Sequence, residues 1–324
     1  MNGVGQNILV IINPNAGRYG ASELAGKLCG ELRKAGSSVR EVFTTGIGDA
    51  REIAFTQGPA HDIVVACGGD GTLSEVVSGL MRLRFPPHVG FLPIGSTCDM
   101  ARTFKLPSEP LKAARSILAG IPFAIDIGRV HGSQPQIRHD LPEGISPSRP
   151  EQLPAYFTYV ASFGAFTETS YATRRHLKKA LGHFAYLLTG LQSVGRIRPH
   201  ETTVLLDGVD YSGSYIFGGV LNSFSVGGLV KLNDVVFDDG LFEVLLVKPP
   251  RNLGQTAKLV SRILQRKTSD DMIRRRAHDI IFRFKEPVSF TVDGEYGGSR
   301  TDWELNNIKQ AIRLRVPSAP GTRA

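Results

Sequence analysis

Cysteine is scarce in this chain of 324 residues: Cys29, Cys67 and Cys98 are the only three, an odd number without metal-ligand spacing. That argues against a disulfide framework or a structural zinc site and fits a reduced, cytoplasmic setting. Long apolar runs are missing too. None approaches the roughly 20 residues a membrane-spanning helix needs, and Met1–Gln6 lacks the basic and apolar regions of a signal peptide. None of the 8 histidines has a partner at metal-ligand spacing, and no internal repeat is visible. The dinucleotide fingerprint Gly-x-Gly-x-x-Gly is absent, and so is Gly-x-x-x-x-Gly-Lys. Any phosphate site here must be of another kind.

Acidic residues fall short of basic ones, leaving a formal net charge of +8. The densest cluster is Arg274-Arg275-Arg276, with Arg262, Arg266 and Lys267 nearby; Arg174-Arg175 with Lys178-Lys179 is a second. Neither comes with zinc-finger spacing or an RNA-binding aromatic signature, so nucleic acid is not expected as a partner. Such charge is commonly solvated surface; its functional alternative is attraction to anionic lipid headgroups. A hydrophobic share of 41% with 21% charged residues is ordinary for a globular protein. The length suits two domains or one large one.

What the chain does have is Asp62–Glu75, reading Asp-Ile-Val-Val-Ala-Cys-Gly-Gly-Asp-Gly-Thr-Leu-Ser-Glu. Ile63–Cys67 is almost wholly apolar, as in a strand buried on both faces. It breaks into Gly68-Gly69-Asp70-Gly71-Thr72, after which Val76, Val77 and Leu80 fall at helical spacing. Strand, glycine turn and helix is the arrangement whose backbone N–H groups and helix N-terminus hold a phosphate. Asp70 would repel phosphate by itself, so in this reading it holds Mg²⁺ that bridges to the phosphates. The competing reading is a tight turn whose Asp caps the next helix.

Upstream, Asn7–Ile12 reads as a buried first strand ending in a loop marked by Pro14 and Gly17, and Ser22 with Glu23 opens a helix to about Lys34. Val39–Thr44 is a second strand. Asp49 and Glu52 have the spacing of a capping box, with Asp49 as the cap, before a helix to about Gln57. Beyond the glycine turn come a strand over Val89–Pro93, the loop Gly95–Arg102, a helix over about Leu111–Leu118, and a strand over Phe123–Val130 carrying Asp126. Strands alternating with helices argue for a parallel α/β sheet, whose ligands bind beyond the carboxyl ends of the strands. The loops at Asn13, Thr44–Asp49, Gly68 and Gly95 should therefore converge.

The character changes after Val130. His131–Pro154 is rich in Pro, Ser, Gln and charge and reads as a loop. Strand-like segments follow at Tyr156–Phe163, Thr202–Leu206, Tyr215–Leu221, Leu241–Val247, Ile280–Phe284 and Val288–Val292, with Asp207-Gly208 as a hairpin turn. Helical pieces interrupt over about His183–Val194 and Leu253–Gln265, and Ala311–Val316 is a last strand. The second half is mainly β.

Asn13-Pro14-x-x-Gly17, Gly68-Gly69-Asp70-Gly71-Thr72, Gly95-Ser96-Thr97-Cys98-Asp99-Met100-Ala101-Arg102 and Asp293-Gly294-Glu295 stand in this order. With Leu181-Gly182-His183-Phe184-Ala185-Tyr186 and Asp239-Gly240-Leu241, they make the chain resemble, over nearly its whole length, the diacylglycerol-kinase catalytic-domain family. The likeness is to its small soluble bacterial lipid kinases, relatives of the sphingosine kinases. The resemblance implies an N-terminal three-layer α/β nucleotide-binding domain with a parallel sheet (residues 1–130 and 306–324). It further implies a β-rich, sandwich-like lipid-substrate domain (131–305), with the active site in the cleft. ATP would be the phosphoryl donor, lying over Asn13, Gly17, Thr44, the turn Gly68, Gly69, Asp70, Gly71, Thr72, Leu73 and Ser74, and Ser96. Glu295 would accept the proton, with Asp293 beside it and Asp70 completing the catalytic set. Asp70, Asp99 and Asp126 would organise the catalytic Mg²⁺, directly or through water. A structural Mg²⁺ would sit at Asp239, with the carbonyls of Val236 and Leu241. The acceptor would be diacylglycerol or a related lipid alcohol at a membrane surface, reached by reversible peripheral association with anionic lipid, and a homodimer is compatible with the family.

Phosphoryl transfer to an alcohol needs aligned phosphates, charge neutralisation and a base for the hydroxyl proton. The glycine turns, the carboxylates and Glu295 supply these in turn; alone, Asp293-Gly294 would read as a surface turn. The chain departs from the family's Gly-Thr-x-Asn-Asp-Phe-Ala-Arg at Cys98, which lacks an amide's donor and acceptor, and carries Ser74 where Asn is common. Two alternatives follow: a NAD kinase-like small-molecule kinase, which shares Gly-Gly-Asp-Gly-Thr, and a catalytically weak lipid- or nucleotide-binding regulator. Asp293-Gly294-Glu295 and Ala101-Arg102 favour the lipid kinase.

Overall fold

The computed structural model describes residues 5–17, 20–95, 98–137, 153–164, 198–226, 230–231, 234–251, 255, 262 and 271–317. The helix expected over 183–194, the motif at 181–186 and Ser96 lie outside these, and of the helix expected over 253–265 only Gln255 and Arg262 are described. The chain divides into two compact units. One is Met1–Ile127 with Phe237–Asp239 and Lys309–Ala324, the other Gly128–Val236 with Gly240–Ile308.

The first unit is built from β1 (Asn7–Ile12), α1 (Ala21–Lys34), β2 (Ser38–Phe43), α2 (Asp49–Gln57), β3 (Ile63–Gly68), α3 (Asp70–Leu80), β4 (His88–Pro93), α4 (Asp99–Thr103), α5 (Pro110–Ala119) and the start of β5 (Ile121–Gly132). Its sheet runs β2-β1-β3-β4, all parallel, with Ile8 opposite both Val39 and Ile63. Successive strand side chains face opposite ways. Ile8, Val10, Ile12, Val65 and Cys67 thus share one buried face with Leu28 and Leu32 of α1 and Ile117 of α5. Leu9, Ile11, Val64 and Ala66 are buried on the other, where α2 and α3 pack. Each such side chain contributes roughly 1.5–3 kcal/mol by leaving water, which explains the unbroken apolar runs of β1 and β3.

One helix start differs from the local reading. α2 begins at Asp49, after Gly48 in a left-handed conformation, so Asp49 is not its cap. Its carboxylate turns back to accept from Thr45 N at 2.7 Å and Gly46 N at 3.1 Å. α5 is capped by Glu109, whose Oε1 accepts from Leu111 N at 3.0 Å.

The second unit takes the end of β5 and then β6 (Tyr156–Phe157), β7 (Val160–Gly164), β8 (His200–Leu206), β9 (Val209–Asp210), β10 (Gly213–Tyr215), β11 (Phe217–Leu221), β12 (Ser225–Val226), β13 (Val230–Lys231), β14 (Phe242–Val247), β15 (Met272–Ala277), β16 (Asp279–Val292) and most of β17 (Glu295–Val316). Its strands pair antiparallel in the order β15-β14-β11-β7-β16, and the first half of β16 pairs with β8. The core centres on Phe163, Phe282, Phe290 and Trp303, with the Phe290 and Trp303 rings stacked at 4.0 Å. Trp303 Nε1 donates to Val288 O at 3.1 Å, which lets the indole be fully buried.

Several strand assignments change, and the segment read as one strand over 215–221 is split between β10 and β11. The segments at 280–284 and 288–292 are one strand, β16, with a register shift against β17 between Arg283 and Val288. The expected last strand, 311–316, is the end of β17, a 22-residue strand whose Leu314 lies parallel to Val89 of β4 in the first unit. The arginine run at 274–276 belongs to an unforeseen strand, β15. Arg274 Nε donates to Glu243 Oε2 at 2.7 Å and its Nη2 to Asp234 Oδ1 at 2.8 Å, while Arg276 Nε lies 3.4 Å from Glu243 Oε1. Glu243 is buried, so two of these three cations balance an interior carboxylate. Asp207-Gly208 does make the expected hairpin turn, with φ 48° and 80°.

Candidate active site

The loops at the carboxyl ends of the first unit's strands touch one another. Asn13 Nδ2 donates to Thr72 Oγ1 at 3.1 Å, and Asn13 Oδ1 accepts from Asn15 N at 3.0 Å, which closes the loop on itself. The carbonyl of Gly68 accepts from Ile94 N at 2.7 Å and Gly95 N at 3.1 Å. A Cβ on Gly68 would lie 2.3 Å from Thr72 Oγ1, and one on Gly95 would lie 2.6 Å from the α-carbon of Gly69. Glycine is thus demanded at position 68 by the close approach of the Thr72 side chain and at position 95 by that of the Gly69 backbone. Gly17, at φ +69°, packs on the carbonyl of Ile94 in the same way.

Asp70 opens α3 and is 9% exposed. Its Oδ2 accepts from Asp99 N at 3.0 Å, and Oδ1 lies at a weaker 3.4 Å from Met100 N. The carboxylate therefore sits at the N-terminus of α4, so it does cap a helix, though not its own. Thr72 and Ser74 are buried beside it. Leu73 is turned into the core and its N–H donates to Gly69 O at 3.1 Å, which makes it a packing residue. Thr44 directly follows β2, its N–H donating to Ile12 O at 2.9 Å.

Sequence reasoning missed Glu75. Its Oε1 accepts from Gly48 N at 2.9 Å and its Oε2 from Ala50 N at 3.1 Å. The residue closes the glycine-turn motif in sequence, but nothing local says which loop it reaches.

Asp126 is fully buried; its Oδ1 accepts from Gln310 N at 2.7 Å and its own N–H donates to Phe237 O at 2.7 Å. Among the described residues no three His, Cys, Asp or Glu side chains converge to hold a metal. Mg²⁺ is usually held by one or two carboxylates plus substrate phosphates and water, not by an all-protein cage. Asp70 and the adjoining Asp99 fit that pattern as hard oxygen donors beside the glycine turn. Asp239 is half-buried and precedes Gly240 at φ +89°; Val236 is exposed and Leu241 half-buried.

In the second unit, Asp293 and Gly294 form a two-residue turn with φ 48° and 83°, pairing Val292 with Glu295. Positive φ at both positions is the hairpin geometry for which Asp-Gly is suited. Asp293 is buried and accepts from Thr158 N, Thr158 Oγ1, Tyr159 N and Val160 N. Those donors come from the break between β6 and β7, which explains why Tyr156–Phe163 is not one strand. Asp293 thereby orients the turn, and Glu295 follows it with an exposed side chain.

Cys98 precedes α4 at φ +46°, and burial pushes its thiol up to about 12. Burial raises Cys29 to about 12 as well, and it raises Cys67 too. None is a reactive thiol at neutral pH.

The model of the diacylglycerol kinase catalytic domain matches residues 7–130. A diacylglycerol kinase of Bacillus subtilis (strain 168) is 32% identical over 316 residues, covering 95% of both chains. One of Staphylococcus carnosus (strain TM300) is 28% identical over 312 residues, covering 95% of this chain and 94% of the other. Among solved structures, that of a diacylglycerol kinase from Bacillus anthracis str. Sterne superposes with a TM-score of 0.72 at 19% identity, covering 98% of this chain and 99% of that one.

Proposed function

Because this chain belongs to the diacylglycerol kinase catalytic-domain family, we propose that it is the lipid kinase which transfers the γ-phosphoryl group of ATP to the hydroxyl of diacylglycerol. The observation that carries the reading is the convergence of the loops after β1, β3 and β4, through Asn13–Thr72, Gly69–Gly95 and Asp70–Asp99. That cradle offers backbone and hydroxyl groups to phosphates and has a carboxylate at its edge.

In this reading the lipid hydroxyl oxygen attacks the γ-phosphorus and the bond to the β–γ bridging oxygen breaks. The hydroxyl proton passes to Glu295, and ADP leaves. Asp293 holds the turn that carries Glu295. Asp70 and Asp99 would hold Mg²⁺, which when bound neutralises charge on the phosphate oxygens. Asp126, whose carboxylate accepts from Gln310 N, would help organise that ion directly or through water, and Asp239, with the carbonyls of Val236 and Leu241, would hold a structural Mg²⁺. No described helix is long and apolar enough to cross a membrane. The chain would meet its substrate by transient contact with an anionic surface, supported by its net charge of +8.

The test is incubation with γ-labelled ATP, Mg²⁺ and diacylglycerol in mixed vesicles. Label is expected in the organic extract, in a product whose mass is that of the lipid plus a phosphoryl group. Label confined to the aqueous phase, or transferred to NAD, would overturn the reading.

A further inference from the structure

α3 does more than begin at the glycine turn. Asp70, Thr72 and Glu75, all in its first half, each accept from a different loop: the one after β4, the one after β1 and the one after β2. The third contact stands apart. Asp70 and Thr72 lie in the turn itself, whereas Glu75 reaches backbone 27 and 25 residues earlier in the chain, Gly48 and Ala50.

The amino end of α2 needs such a partner. A helix start leaves backbone N–H groups unsatisfied, and Gly48, its cap residue, has no side chain to offer them. Asp49, the nearest carboxylate, is engaged by Thr45 N, Thr45 Oγ1 and Gly46 N. Glu75 supplies the missing acceptor from another helix, with one oxygen for each N–H. A charged acceptor at a helix N-terminus is favoured by the helix dipole and makes the stronger kind of hydrogen bond. The loop between Thr44 and Asp49 is then fixed at both ends, by Thr44 N to Ile12 O and by Gly48 N to Glu75.

We infer that Glu75 is a positioning residue for nucleotide binding, holding the Thr44–Asp49 loop in register with the glycine turn through α3. The inference rests on the kinase reading above and deepens it: the effect of Glu75 runs through the loop it holds. Glu75→Gln keeps size and one acceptor but turns an amide NH₂ toward one of the two N–H donors, so one end of the loop is released.

The test compares parent and Glu75→Gln by calorimetry with Mg·ATP, by steady-state kinetics and by hydrogen exchange. The expected result is a rise of about tenfold in the ATP Kd and KM, with kcat within about twofold and the lipid KM unchanged. The Gly48 and Ala50 amides should exchange faster. A role in stability alone would lower the melting temperature and leave ATP affinity at the parental value. That outcome overturns the inference while leaving the kinase reading intact, as does a fall in kcat at unchanged ATP KM. A parent protein that binds no Mg·ATP overturns both. Should Glu75→Gln fail to fold, Glu75→Asp, which keeps the charge but shortens the reach, takes its place in the same measurements, and the same outcomes support or overturn the inference.

Discussion

One oxygen of the Asp293 carboxylate receives both the backbone N–H of Thr158, at 2.7 Å, and that residue's hydroxyl, at 2.9 Å. The other oxygen receives Tyr159 N at 3.0 Å and Val160 N at 3.1 Å. In Asp293→Asn the amide NH₂ must face N–H donors on one side, leaving buried donors unsatisfied. The expected cost is about 2–3 kcal/mol of unfolding free energy, measured by denaturant titration. Turnover should fall as the turn carrying Glu295 loosens, with ATP affinity unchanged. Parental stability in this variant would show that the carboxylate is dispensable to the turn.

Glu295 and Asp70 should fail in different ways. Glu295→Gln removes basicity and little else, so turnover should drop by about 10²–10⁴-fold while Mg·ATP affinity survives. Asp70→Asn should weaken Mg·ATP binding as well as turnover. Calorimetry beside a lipid phosphorylation assay separates the two, and near-parental turnover in Glu295→Gln would remove it as the base.

The thiols predict an alkaline limit. Burial holds Cys29 and Cys98 at about 12 in the folded protein, against about 8.5 in an unfolded chain. A group whose pKa is raised by folding stabilises the fold below the unfolded value and loses that contribution as pH rises toward the folded one. Stability should therefore fall between about pH 8.5 and 12. At pH 8 a thiol reagent should label the native protein slowly and all 3 cysteines after denaturation. Fast native labelling of Cys98 would contradict its burial.

Arg274 predicts a separation between charge and membrane contact. It bridges the buried Glu243 and Asp234, so Arg274→Ala should cost about 1–3 kcal/mol, with Arg276 still beside Glu243. Co-sedimentation with anionic vesicles should change little, because this cation is turned inward. A large loss of vesicle binding at unchanged stability would restore the arginine run as a lipid contact.

Most strands and helices of the first unit were legible because their signals are local; the short helix α4, within the segment read as a loop over 95–102, was not. Ile8–Ile12 and Ile63–Cys67 are apolar on both faces, and periodicity places α1, α3 and α5 to within a few residues. β15 was not legible: Met-Ile-Arg-Arg-Arg-Ala reads as charge until Glu243 lies opposite Arg276 across the strand pair. Nor was the break at Thr158-Tyr159, whose cause, Asp293, lies 135 residues away.

By itself the sequence determined the order of elements, the glycine turns, the two Asp-Gly hairpins and the set of carboxylates, since each depends on residues within a few positions of one another. Only the tertiary structure decided what those carboxylates hold. Asp70 caps α4, Glu75 caps α2, Asp126 receives Gln310 N and Asp293 receives Thr158. A carboxylate can accept from any N–H that comes within reach. Which one does so is set by strand register and helix packing, which bring distant segments together after local propensities have been satisfied.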